Sequence, residues 1–446
     1  MDDTGNSSTF FENRTCRYYP CHTGLPEINC LFCYCPLYGL RDCPGTYTYV
    51  KTRSGARVKS CMHCDFPHRR ENYGAVIRCL TGRDESGLPG LSGLQDTPEE
   101  AELRRKIQAR WDGLAMPIDS LGKMEKLITQ IGVIEGKEDV KLTSRALLIF
   151  AGDHGVVREG VTQTGSSVTK TVAENLAAGK GVTSILARKA GADLFVIDAG
   201  MDTPRYPCKE LVTGRIVDRK VRRGTGDIAK EDAMSREECL AALAAGEALA
   251  GELKERGYDI LATGEMGIGN TTPSAVLTGH FLGRKAEAVA GRGAGLGDAG
   301  LERKIQAIAR SLSRIRELTG PLRVLAAAGG LEIAMMTGLY LGAARNRIPV
   351  LMDGVISQAA ALTAVKICPD VRGILIPTHR SKEACGDCIL AALGMDPPLH
   401  ADLSLGEGSG AVMLLPMLDM ALAVYEQMSR FADIGIAPYE RFEETT

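Results

Sequence analysis

The sequence predicts an α/β protein built on a doubly wound, mostly parallel sheet, with a smaller helical subdomain and an N-terminal cysteine-rich module. Three observations predict it. From Ala146 onward, short apolar runs alternate with longer helix-compatible stretches, the pattern of parallel strands buried on both faces and joined by crossover helices. Glycine is abundant, 51 residues against one tryptophan, as tight βα turns and backbone-lined sites require. Nine of the 14 cysteines lie between Cys16 and Cys79 and the other five are scattered over the rest of the chain, so the cysteine-rich segment is a unit of its own.

Residues 1–90 hold that module. Gly87-Leu-Pro-Gly90 and Ser92-Gly93 then form a linker. In Thr97-Pro98-Glu99-Glu100 the threonine can cap a helix, the proline fits its first position and Glu100 takes the carboxylate position of a capping box, so a second folded unit, residues 97–435, starts here. A chain of 446 residues is long enough for both. Helices are expected from residues 97 to 130. The expected strands are Ala146-Phe150, Leu194-Ile197, Ile260-Ala262, Val324-Ala328, Val350-Met352 and Ile374-Ile376, each bounded by glycine or a polar turn. Between them Val168-Arg188, Ser235-Glu255, Leu301-Leu318 and Leu331-Ala344 are helix-compatible, and Ser235-Arg-Glu-Glu238 is a second capping box. A helix from about residue 411 to 432 joins those of residues 97–130 in the smaller subdomain.

A formal net charge of −2 argues against nucleic acid or an acidic membrane surface as partner and favours a small molecule. The chain is polar through Thr9 and its apolar runs are short or interrupted, so neither a secretory signal nor an 18-residue membrane span is expected, and a cytoplasmic placement follows. In that reducing compartment cysteines read as metal ligands rather than disulfides. Cys30-Leu-Phe-Cys33 and Cys61-Met-His-Cys64 are two Cys-x-x-Cys pairs, with Cys16, Cys21, His22, Cys35 and Cys43 nearby. Cys30, Cys33, Cys61 and Cys64 are the candidate ligands of zinc, with an iron–sulfur cluster as the alternative.

Ligands of an open parallel sheet bind outside the carboxyl ends of its strands. The turns there are Gly152-Asp-His-Gly155, Asp198-Ala-Gly200, Thr263 to Thr272, Gly329-Gly330, Asp353-Gly354 and Thr378-His379, which makes Asp153, His154, Gly329 and Gly330 candidate substrate-binding residues. Glycine also serves ordinary turns, so none is decisive alone. The stretch from Gly264 to Thr272 says more. Gly264, Gly267 and Gly269 let backbone N–H groups approach an anion, Thr271 and Thr272 add hydroxyls beside Asn270, and Pro273 suits the start of a helix whose positive end would face a phosphate. Its spacing is neither Walker A nor the dinucleotide fingerprint. Arg292, in Gly291-Arg-Gly-Ala-Gly-Leu-Gly297, and Lys304 are cations able to balance that phosphate. Gly406-Glu-Gly-Ser-Gly410 sets Glu407 between glycines; in an apolar cleft desolvation would raise its pKa and make it a general base near neutrality.

In order, Gly152-Asp-His-Gly-Val156, Gly264-Glu-Met-Gly-Ile-Gly-Asn-Thr-Thr272, Gly291-Arg-Gly293 with Asp298-Ala-Gly-Leu301, Gly329-Gly-Leu-Glu332, Asp353-Gly354 and Leu405-Gly-Glu-Gly-Ser-Gly-Ala411 resemble motifs of the nicotinate-nucleotide:dimethylbenzimidazole phosphoribosyltransferases of cobamide (vitamin B12) synthesis. Ser120-Leu-Gly-Lys-Met-Glu125 is similar to that family's N-terminal helical signature. The resemblance covers residues 97–435. It implies a Rossmann-like large domain, a homodimer and no cofactor for catalysis. The implied reaction moves the phosphoribosyl group of nicotinate mononucleotide to 5,6-dimethylbenzimidazole or a related base, giving α-ribazole 5′-phosphate and nicotinate. By motif, Glu407 corresponds to the catalytic glutamate, Glu265 to a second active-site carboxylate, and Gly264 to Gly269 to the nucleotide-phosphate loop, with Leu405, Gly406 and Gly408 flanking the glutamate at the substrate. Thr162-Gln-Thr-Gly-Ser-Ser167, before Val168-Thr169, departs from the family's base-pocket pattern, which leaves a phenol, a purine or another benzimidazole open as acceptor. The cysteine-rich module resembles a small domain attached to proteins of cobamide metabolism. Two other classes stay open: a non-catalytic nucleotide or metal sensor, and an NAD-dependent oxidoreductase, for which Gly295-Leu-Gly-Asp-Ala-Gly300 follows no clear strand.

Overall fold

A computed structural model describes residues 11–21, 25, 27–32, 35, 37, 45–51, 57–61, 64–69, 72–73, 76 and 97–441. The chain divides into two compact units, residues 1–92 and 93–446. In the first, strands β1 (Thr48–Lys51) and β2 (Arg57–Ser60) pair antiparallel, and the 3-10 turns Cys30–Phe32 and Phe66–His68 are tied together by Asn29 N–H donating to His68 O at 2.7 Å.

The second unit is organised by six parallel strands, β3 (Arg145–Gly152), β4 (Ala192–Gly200), β5 (Ile216–Asp218), β6 (Ile260–Met266), β7 (Val350–Met352) and β8 (Leu375–Pro377), in the order β5-β4-β3-β6-β7-β8. Numbered within the sheet this is 3-2-1-4-5-6, the doubly wound order whose direction reverses between β3 and β6 and leaves a crevice there. Seven of the eight β3 residues are buried, as a central strand covered on both faces requires.

Helices α1 (Pro98–Asp112), α2 (Lys123–Glu135), α3 (Ser167–Ala177), α4 (Val182–Lys189) and α13 (Ser409–Gln427) share one core with Leu147, Ile149 and Ala151 of β3. Trp111 of α1 and Tyr425 of α13 pack ring to ring there at 4.7 Å, a contact worth about 0.5–1.5 kcal/mol beyond its buried area. On the other face run α5 (Arg236–Glu255), α10 (Leu331–Arg345) and α11 (Val355–Ile367). A Cβ at Gly246 would fall 1.9 Å from Met335 O and one at Gly338 2.0 Å from Leu243 O, so α5 and α10 cross backbone to backbone. The remaining helices are α6 (Thr271–Leu282), α7 (Ala286–Val289), α8 (Asp298–Arg314), α9 (Pro321–Ala328) and α12 (Gly386–Leu393).

Both capping boxes form: Thr97 Oγ1 accepts from Glu100 N–H at 3.2 Å, and Ser235 Oγ from Glu238 N–H at 3.1 Å. Four expectations need correction. Val324-Ala328 is the helix α9, not a strand; Gly320 is left-handed and Pro321 takes the first helical position, so the run starts as a helix. The sixth strand is β5 instead, only three residues long. Val168-Arg188 is two helices, broken after Ala177 where Gly179 is left-handed at φ +73°. Finally, α13 is long and apolar enough to cross a membrane by length and composition, which the sequence reading did not find. Leu414, Leu415, Leu418 and Tyr425 lie buried in the core, so its apolar character is used in packing.

Candidate active site

Three loops meet at the switch point. The first leaves β3 as Gly152-Asp-His-Gly155. Asp153 Oδ2 accepts from Asp202 N–H at 2.7 Å, and His154, 3% exposed, sets Nε2 2.7 Å from Oε1 of the fully buried Glu332. Burial alone would lower the imidazole's pKa; the Glu332 carboxylate outweighs it and leaves His154 above its ordinary value.

The second loop leaves β6 and carries Glu265 into α6. A Cβ on Gly267 would lie 2.6 Å from Gly152 O and 3.2 Å from His154 Nε2, so the first two loops touch through backbone that tolerates no side chain. Gly269 is left-handed at φ +94° and turns the chain into α6. Behind Thr271 stands Lys304, 1% exposed, whose Nζ donates to Thr271 Oγ1 at 2.8 Å and Gly291 O at 2.9 Å; burial lowers its pKa. The hydroxyl of Thr272 is buried with no protein partner, at the positive end of α6.

The third loop precedes α13. A Cβ on Gly264 would lie 2.5 Å from Glu407 O, which presses this loop onto β6. Gly406, Glu407 and Gly408 are left-handed in succession, with φ +78°, +59° and +84°, an uncommon conformation for a glutamate. Glu407 Oε2 accepts from the Thr183 hydroxyl of α4 at 3.1 Å. Asp353, at the end of β7 and 1% exposed, accepts from Gly408 N–H at 3.0 Å, Gly410 N–H at 2.9 Å and Ala411 N–H at 3.2 Å, with His379 Nδ1 3.7 Å away.

The loops enclose a cavity of about 360 Å³ with Glu265, Glu407, Gly267, Asn270, Thr271 and Leu405 on its walls and apolar cover from Val168, Val172 and Ile356. Burial pushes Glu265 up to about 7, with the charges of Asp353 and Glu332 adding to it and the hydrogen bond from Asn270 opposing. Burial, then the charge of Asp353, also raises Glu407, against the Thr183 hydrogen bond. Two carboxyls whose pKa values are raised by burial, Glu265 to about 7, thus face one cleft, a setting for acid–base work. A larger cavity of about 690 Å³ lies beside β8, α1 and α2, but its Arg347 and Arg372 donate to Val133 O and Gly394 O, and the strand-end loops are absent from its described lining.

Apart from Gly406, the other sequence candidates sit around this cavity rather than on its wall. Gly406 shares its wall, and Gly264 and Gly408 lie in the contact between the second and third loops. Gly330 backs His154, whose Cε1 would be 2.6 Å from a Cβ there, while Gly329 packs on Leu325. Arg292 points into its own loop, donating to Leu296 O and Asp298. Sequence reasoning put Asp353 and His379 in strand-end turns without a role and missed Thr183, which lies inside α4 with no local signal. Thr164, in the segment that departs from the family pattern, lines the cavity. Of the cysteine ligand candidates, Cys33 lies outside the described residues; Cys64 N–H donates to Cys61 O at 3.0 Å, and Cys30 follows Asn29, the residue bonded to His68. Among the described residues no three His, Cys, Asp or Glu side chains gather as a metal site.

Residues 97–436 match the family model described as Phosphoribosyltransferase, and residues 7–85 the one described as Cysteine-rich small domain. A nicotinate-nucleotide:dimethylbenzimidazole phosphoribosyltransferase from Ruminiclostridium cellulolyticum is 38% identical over 343 residues, 77% of this chain and 96% of that one. The protein of the same name from Geobacter sp. (strain M21) is 40% identical over 340 residues, 76% of this chain and 96% of its own length. The crystal structure of CobT from Thermus thermophilus superposes with a TM-score of 0.71 at 37% identity, covering 75% of this chain and 99% of that one.

Proposed function

The chain belongs to the nicotinate-nucleotide:dimethylbenzimidazole phosphoribosyltransferase family, and from that membership we propose how its own residues carry the reaction. It transfers the phosphoribosyl group of nicotinate mononucleotide to 5,6-dimethylbenzimidazole, releasing nicotinate and forming α-ribazole 5′-phosphate in cobamide synthesis. The bond from ribose C1′ to the pyridinium nitrogen breaks, and its electron pair neutralises that nitrogen, so nicotinate leaves without a proton. One benzimidazole nitrogen bonds to C1′ while the other loses its proton. Glu407 takes that proton. Glu265, when ionised, stabilises positive charge on the ribose. The loop from Gly264 to Thr272 and the start of α6 hold the nucleotide phosphate, with Lys304 as the cation behind Thr271. The step balances with no metal or redox cofactor.

The observation that carries this reading is the meeting of Glu265 and Glu407, both with raised pKa, in one cavity above the glycine-rich loop. An acceptor screen with nicotinate release as readout tests it: dimethylbenzimidazole must be a substrate. A second reading, the same transfer to a phenol, a purine or another benzimidazole, is favoured by Thr164 on the cavity wall, within the segment from Thr162 to Ser167 that departs from the family pattern. The same screen separates the two.

A homodimer is part of the proposal, supported by the exposed apolar side chains of Val182 and Ile185 on α4 and Met413 and Met420 on the adjoining α13. So is a cytoplasmic placement. Cys30, Cys33, Cys61 and Cys64 are proposed to hold zinc or an iron–sulfur cluster. The Cys61–Cys64 turn and the Asn29–His68 bond, which ties the residue before Cys30 to the 3-10 turn that follows Cys64, support it.

A further inference from the structure

The geometry points to Asp353 as the residue that positions the catalytic base: its carboxylate caps α13 from a distant strand and so fixes the loop on which Glu407 sits. This deepens the proton-transfer reading above and rests on it.

The first N–H groups of a helix need acceptors from outside it. At α13 the capping position is Gly408, which has no side-chain oxygen to offer. Asp353 fills the gap from the end of β7, one carboxylate oxygen accepting from Gly408 N–H and the other from Gly410 and Ala411 N–H. Both oxygens are therefore committed to the loop. Gly406, Glu407 and Gly408 are all left-handed, a stretch that makes no helix or strand of its own. Besides its own turn, closed by Ser409 N–H on Gly406 O at 3.0 Å, it is held from outside by Asp353 on the backbone just after Glu407 and by Thr183 on the Glu407 carboxylate.

The charge of Asp353 acts as well. The titratable groups around Glu407 are Glu265 at the end of β6, Asp353 at the end of β7, and His379 and Glu383 after β8, the last on the wall of the same cavity, with Glu332 and His154 behind Glu265; α4 adds the Thr183 hydroxyl. The buried negative charge of Asp353 makes Glu407 hold its proton more tightly, while the Thr183 hydrogen bond favours the ionised form. An asparagine at 353 removes the charge and turns an NH₂ group toward backbone N–H groups.

The test measures kcat across the acid-to-neutral range, with nicotinate mononucleotide and dimethylbenzimidazole saturating, for the full chain and for Asp353→Asn, Asp353→Glu, Thr183→Val and Glu407→Gln. A general base must be ionised, so kcat rises with pH as Glu407 loses its proton. Asp353→Asn is expected to lower kcat about 10–100-fold by misplacing the base and to move the rising limb to lower pH. Thr183→Val moves that limb to higher pH. Asp353→Glu keeps the charge, so its limb stays in place while kcat falls, and KM for nicotinate mononucleotide changes little in each, since the phosphate loop is untouched. An Asp353→Asn limb at the wild-type position, or an Asp353→Glu variant with wild-type kcat, overturns the proposal. Should Asp353→Asn not fold, Asp353→Glu still decides the positioning role. If Glu407 is not the base, Glu407→Gln keeps the limb and Thr183→Val leaves it unmoved; a limb that follows Thr183→Val but not Asp353→Asn refutes Asp353 alone.

Discussion

Replacing Glu265 by glutamine is expected to stabilise the ligand-free protein at alkaline pH while impairing catalysis. The residue is 8% exposed, and burial pushes its carboxyl to about 7 from an ordinary 4.5. Because the folded state holds this proton more tightly than the unfolded chain, the stabilisation is complete below 4.5 and is lost as pH rises through about 7. At about 1.4 kcal/mol per pH unit, the ionised carboxylate costs the fold on the order of 3 kcal/mol at alkaline pH. Glutamine keeps the shape and an oxygen for the Asn270 hydrogen bond but never ionises. Urea unfolding followed by circular dichroism, at a series of pH values, should give similar stabilities for wild type and Glu265→Gln in acid. The curves should then separate through neutrality, with the variant more stable by up to about 3 kcal/mol. Curves that stay parallel, or a variant less stable at every pH, would refute the burial argument.

Gly267→Ala places a methyl 2.6 Å from Gly152 O; equilibrium titration is expected to show nicotinate mononucleotide binding weakened far more than dimethylbenzimidazole binding, whereas equal loss of both would mean the site has misfolded. Lys304→Met removes a buried cation from Thr271, and with charged hydrogen bonds worth about 1.5–3 kcal/mol the Kd for the nucleotide should rise about 10–100-fold. An unchanged Kd would take Lys304 out of phosphate binding. Residues 93–446 made alone are expected to keep full transfer activity, because the relatives are matched over nearly their whole length by that part of the chain. Residues 1–92 made alone are expected to carry tightly bound metal, zinc first, by elemental analysis. An inactive but folded truncation, or a folded and metal-free module, contradicts the respective half.

What was legible in the sequence was what short-range chemistry decides. The Thr97 and Ser235 caps form because each motif completes itself within four residues. The strands β3, β4, β6 and β7 are found because apolar runs between glycines leave little alternative. Val324-Ala328 looks the same by composition and becomes a helix, since five apolar residues carry too little periodicity to tell the two apart, and only the preceding Gly-Pro marks a helix start. At the site, Glu407 stands out because glycines flank it and Glu265 stands out only through its place in the family motif, whereas Glu332, Thr183 and Asp353 acquire partners only through tertiary packing. Glu332 meets His154 across 178 positions and Thr183 meets Glu407 across 224, distances over which local pattern is silent.

The central claim is that Glu407 takes the proton from the acceptor base. Glu407→Gln preserves the size of the side chain and leaves the left-handed loop and its Asp353 contacts in place, but an amide cannot accept that proton. Nicotinate release measured at saturating nicotinate mononucleotide and dimethylbenzimidazole, with nucleotide binding confirmed separately, is expected to fall about 10²–10⁴-fold. Wild-type turnover in a variant that binds the nucleotide normally would contradict the account.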